Sequence, residues 1–174
     1  MSTKSSYKVI NKSIAVYEDL MNNVSEELFI RTPAEGVWSY AEVFTHIFSS
    51  TLGCIKAIEV CSVGKGQEDN TPTPFKIRVV LFFKRFPPGK FKVPERLAKD
   101  VLKINRTEAT AMINNCKAQL EAAYPLIAQS SPTQKIKHPR LGLINASQWY
   151  SFIQIHLLHH QRQLDRIKAI HKNA

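Results

Sequence analysis

The sequence predicts an all-α fold, a four-helix bundle with one long crossover connection. Three observations carry this: four long amphipathic segments, no convincing strand, and a single long irregular stretch between the second and third helices. The chain has 174 residues, 44% of them hydrophobic, which suits one domain over residues 1–174 with a single sizeable core.

The first helix is expected from about Tyr7 to Asn23, because Val9, Ile10, Ile14, Tyr17, Leu20 and Met21 recur at helical spacing. Ser25 and the residues after it read as a short helical turn before a break at Pro33–Gly36. The second helix opens on a capping box, Ser39 with Glu42, flanked by Trp38 and Val43 as a hydrophobic staple. It should run to about Val63, where Gly64 and Gly66 stop it.

Residues 64–105 form the long connection. Phe75, Val79, Phe82, Phe83 and Phe86 have helical rather than alternating spacing, so a short helix is expected there. Phe75, Val79, Phe82 and Phe83 should pack on the bundle, since each Phe left in water forgoes roughly 1.5–3 kcal/mol. Asn105 and Glu108 open a third helix, to about Gln129, with Ile113, Cys116, Leu120 and Tyr124 facing inward; Pro125 would kink or shorten it. Asn145 with Gln148 opens the last helix, which runs to about His171.

The longest uncharged apolar runs, such as Val79–Phe83, are too short to span a bilayer. The start, MSTKSSYKV, has no apolar stretch of a secretory signal. Cys54, Cys61 and Cys116 are odd in number without CxxC spacing, which predicts reduced thiols in a cytoplasmic protein. The formal net charge is +10, and between Lys76 and Arg106 ten Lys or Arg face only Glu95 and Asp100. Such a stretch attracts an anionic substrate, a nucleic-acid backbone or acidic lipid, although a solvated face is the plainer reading. No zinc finger, RNP pattern or zipper with a basic region supports nucleic acid.

Three histidines point to chemistry. His156 and His160 stand at i and i+4, side by side on one helix face roughly 5–6 Å apart at Cβ. They interrupt an apolar stripe of Trp149, Phe152, Ile153, Leu164 and Ile167, and His46 lies on another apolar helix. A buried imidazole without a partner costs on the order of 1–3 kcal/mol, and a divalent cation removes that cost because neutral imidazole is its ligand form. Taken alone, HxxxH also arises by chance, and His46 alone reads as a satisfied core histidine. Residues 157 and 158 are Leu-Leu, so the glutamate base of HExxH is absent. His159 lies about 60° from His156 and 100° from His160 around the helix, at the edge of the site or facing solvent. Gln163 lies near the face of His160, Glu42 is accounted for by its cap, and His138 and His171 read as loop and tail residues.

The series Val37-Trp38-Ser39, Glu42, His46-Ile47, His138-Pro-x-Leu-Gly142, Gln148-Trp149, His156-x-x-x-His160 and Gln163-Leu164 resembles the DinB/YfiT-like superfamily over about residues 7–171. The resemblance implies a metal-binding four-helix bundle in which His46, His156 and His160 hold one divalent ion, nickel or zinc. It further implies thiol-dependent transferase or isomerase chemistry in some members, with a low-molecular-weight thiol such as bacillithiol or mycothiol, and association as homodimers.

The expectation is therefore a metal-dependent enzyme acting on a small molecule, by S-transfer or hydrolysis, with its catalytic residues unassigned. Lys84 and Arg85 of the basic connection are candidates to recognise an anionic substrate or thiol. The competing reading is a non-catalytic, metal-stabilised, stress-related or binding protein; a nucleic-acid module is the third.

Overall fold

Capping chemistry sets where three of the four long helices begin. The structure, a computed structural model, describes residues 3–87 and 101–172. Helix α1 spans Thr3–Asn23, α2 spans Glu26–Ile30 and α3 spans Tyr40–Ser62. A short strand β1, Gln67–Glu68, precedes α4, Phe75–Phe83. Helix α5 (Arg106–Ala123) and the single turn α6 (Leu126–Gln129) lead to strands β2 (Gln134–His138) and β3 (Gly142–Asn145), and α7 closes the chain from Ala146 to Lys172. The Ser39–Glu42 and Asn105–Glu108 boxes both close reciprocally. At α7 the same exchange joins Asn145 and Gln148: each backbone N–H donates to the other's side-chain oxygen, at 3.0 and 3.1 Å.

The bundle is α1, α3, α5 and α7. Helix α7 packs on both α1 and α3, and α5 packs on the same two. Consecutive helices α1 and α3 therefore stand at diagonal corners, so the chain crosses an end of the bundle, as a non-simple connectivity requires. Ile10, Ile14 and Tyr17 of α1 meet Phe44, Ile47 and Phe48 of α3 and Ile153, Leu157 and Leu164 of α7 in one core. The Tyr17 hydroxyl donates to the Leu157 carbonyl at 2.9 Å, which satisfies a buried polar group and joins α1 to α7. Helix α3 is long and apolar enough to cross a membrane by length and composition alone, but 61% of that window is buried inside the bundle.

Three expectations change. The first concerns strands: β1, β2 and β3 form a small antiparallel sheet in that order, with Ile136 paired to Ile144 and Gln67 to Lys135. Runs of two to five residues are too short to show a period, and Lys135 occupies an inward position. Its buried ammonium is held by Asp69 at 3.3 Å and by the Thr71 carbonyl, so a cation sits where an apolar residue would mark a strand. The second concerns the first helix, which begins at Thr3 and not at about Tyr7, because its polar first turn shows no apolar period. The third helix stops at Ala123 and a separate turn follows Pro125, as that proline implied.

The third concerns α4, where Phe75, Phe82 and Phe83 are 75%, 72% and 69% exposed instead of packed. Nearly every residue of α4 is apolar, so its composition does not choose a face. Ile77, Val79, Val80 and Leu81 are the half-buried residues of the helix, and Ile77 packs against the core. Part of the basic connection, residues 88–100, lies outside the described residues.

Candidate metal centre

The packing of α3 along α7 brings His46 to His156 and His160. One ligand atom from each lies within 4.8 Å of the others, and all three residues are buried. Their ring centroids are 5.1 Å (His46–His156), 4.9 Å (His46–His160) and 4.6 Å (His156–His160) apart. Three nitrogens within that radius could hold one ion, with further coordination positions left open.

The surroundings define proton positions. Gln163 Oε1 can only accept, so the 2.7 Å contact makes His160 Nδ1 the donor and leaves its Nε2 lone pair bare. That Nε2 lies 3.1 Å from His156 Nε2, so in the neutral pair His156 donates through Nε2. His156 Nδ1 is then buried with no hydrogen-bond partner. The two Nε2 atoms meet over a single proton beside a third imidazole, and a cation would take the place of that proton between them.

Burial suits these rings to be ligands. It is the largest cause lowering the pKa of His46 to about 4 and that of His160 to about 3, with repulsion from neighbouring histidines adding to it. His156 is lowered well below the ordinary value for the same reasons. All three are neutral at pH 7. A set of imidazoles without a carboxylate fits a borderline cation such as zinc or nickel better than magnesium or calcium.

Aromatic rings hold the imidazoles in place. The Trp38 ring lies 5.3 Å from His46, and Phe152 stacks on His156 at 5.2 Å with 20° between planes. His159 flanks the site, half-buried, edge-on to His160 and Phe86. Glu42 stays with its cap, its Oε2 accepting from Ser39 N and Oγ at 2.8 Å each. His171 contacts Arg31 and Tyr40 instead of the cluster.

His138 is more than a loop residue. It is buried at the end of β2, its Nδ1 accepts from the backbone N–H of Arg140 and Leu141 at 3.1 Å each, and its ring packs on Trp149 and Phe152. Burial first, then Arg140, lowers its pKa to about 4. The signal in the sequence was the His-Pro-x-Leu-Gly run, whose turn at Gly142 (φ 69°) supplies those amides.

The cluster lies against a cleft of about 940 Å³ bordered by α3, α4, the β2–β3 turn and α7. Lys56, Lys76, Lys137 and Arg140 border it, whereas Lys84 and Arg85 do not. Lys84 turns to α7 instead, its Nζ donating to Ser151 Oγ at 2.5 Å. Among the described residues, three of the four basic groups beside the site thus come from segments other than the charge-dense run.

The family model of the DinB superfamily matches residues 10–164. A solved structure, described as the crystal structure of TT2238, a four-helix bundle protein, is similar over 95% of this chain and 99% of that one, with a TM-score of 0.61 and 14% identity. That likeness shows a shared fold. No curated protein matches the chain.

Proposed function

Since the chain belongs to the DinB superfamily, we propose that it is a metalloprotein that binds zinc or nickel on His46, His156 and His160 and acts on a small molecule by S-transfer or hydrolysis. The observation that carries this reading is the meeting of three buried, neutral imidazoles beside an open cleft. When bound, a divalent ion lowers the pKa of a coordinated water or thiol and polarises an electrophile.

The protein's own groups do the rest. Gln163 keeps the proton of His160 on Nδ1 and its Nε2 free. Trp38 and Phe152 exclude water from the flanks of His46 and His156. Cations beside the cleft favour an acidic substrate or a thiol cofactor bearing carboxylates. Among the described residues no Asp or Glu borders the cleft, whereas the half-buried imidazole of His159 does and is the candidate to accept a proton. Transfer from a low-molecular-weight thiol is preferred over hydrolysis on family grounds, and a homodimer is expected on the same grounds.

The test is elemental analysis of the purified chain after loading with zinc or nickel, followed by assays of thiol consumption with an electrophile and of ester hydrolysis. One equivalent of metal, with turnover lost on chelation and restored on reloading, supports the proposal. Absence of stoichiometric metal refutes it. Metal without any turnover supports the non-catalytic reading.

A further inference from the structure

The cleft beside the histidines combines charge of one sign with an apolar wall. Lys56, Lys76, Lys137 and Arg140 border it, and no acidic residue among those described does. Lys56 is engaged with Glu59 at 3.1 Å. Lys76 and Lys137 are exposed and enter no ion pair among the described residues. They come from different elements, α4 and β2, so their convergence on one cleft is a product of the fold.

The wall is built by Val60, Ile77, Val80, Ile136, Trp149 and Phe152. The first four are only half-buried, so apolar surface remains wet in a concave site. The cleft volume lies within the range of roughly 300–1,000 Å³ typical of small-molecule sites. A small, wholly polar metabolite would leave that wall hydrated. A nucleic-acid strand would need exposed rings as stacking platforms, whereas Trp149 and Phe152 are buried at 6% and 7% exposure.

We infer that the cleft selects an amphiphilic anion, a molecule with one acidic head group and a hydrocarbon or aromatic body. Lys76 and Lys137 hold the head, and the body lies along the apolar wall toward the histidines. This names the substrate class of the site proposed above and rests on the cleft being that substrate site.

Titration calorimetry on the full chain, as purified and after chelation, tests it with octanoate, decanoate, acetate and octyltrimethylammonium. Decanoate should bind about tenfold tighter than octanoate, the value of two added methylenes. Acetate and the cationic amphiphile should bind far more weakly. K76Q together with K137Q should weaken decanoate by about threefold to tenfold, a range set by exposed charge pairs. Gly53 borders the cleft, and a Cβ built on it meets nothing within 4 Å. G53F should therefore set a ring at the border of the cleft with no clash at its Cβ, weakening decanoate severalfold while thermal stability is kept.

Equal binding of the anionic and cationic amphiphiles would overturn the inference. So would affinity independent of chain length, or decanoate binding that G53F leaves unchanged in a folded protein. If the chain takes up metal but binds neither fatty acid, this inference fails while the metal reading stands. If decanoate binds as expected and no metal does, the metal reading fails alone.

Discussion

Gln163→Leu is the sharpest perturbation of the proposed metal centre, because Leu is close to Gln in size and cannot accept a hydrogen bond. Gln163 Oε1 accepts from His160 Nδ1 at 2.7 Å, and His160 is only 5% exposed, so water does not readily replace the lost partner. In the metal-free variant the imidazole proton can move to Nε2, where His156 Nε2 lies 3.1 Å away. Coordination through Nε2 forces the proton back to Nδ1, now without an acceptor, at a cost of about 1–3 kcal/mol. That cost corresponds to roughly 10–100-fold in metal affinity, the usual effect of removing a group that orients a ligand. Competition with a chromogenic chelator at neutral pH measures it, with circular dichroism to confirm that the variant folds. Gln163→Glu retains an acceptor and should bind at least as tightly as the parent. A folded Gln163→Leu protein with affinity within about twofold of the parent would refute the reasoning.

His160→Ala should abolish stoichiometric metal uptake in elemental analysis, and His171→Ala should not, because His171 contacts Arg31 and Tyr40 instead of the cluster. The metal-free protein should lose stability as pH falls from about 6.5 toward 4 in thermal melts at stepped pH. Burial lowers His46 and His138 to about 4, so the unfolded chain takes up protons in that window that the folded chain does not, and each group contributes up to about 3 kcal/mol that is fully present only above pH 6.5. For the same reason metal release on acidification should begin below the pH of about 6 that free imidazole suggests. Gly53→Ala should raise stability by roughly 0.5–1 kcal/mol in denaturant titration, since Gly53 is exposed within α3 and an added Cβ meets open space.

The long helices, and the starts of α3, α5 and α7, were legible because their causes are local. Capping residues three apart and apolar residues at helical period depend on near neighbours, and the Ser39–Glu42, Asn105–Glu108 and Asn145–Gln148 pairs close as their spacing implies. His156 and His160 were legible as a pair because one helix sets their separation. The family was legible because its residues keep their order along the chain.

Other features depended on what lies across the fold. That His46 meets the pair follows from how α3 packs on α7, which no spacing within either helix determines. Lys135 reads as a surface charge until Asp69 and the Thr71 carbonyl meet it. His138 reads as a loop residue until the β2–β3 turn supplies two amides to its ring. On α4, apolar nearly all round, the choice between a Phe face and an Ile77–Val80 face belonged to the packing surface it met. The local pattern determined which segments are helices and which imidazoles share a face. The tertiary structure decided which charges are buried, which Phe rings stay in water and which cations reach the cleft, because each of those outcomes depends on residues far away in the chain.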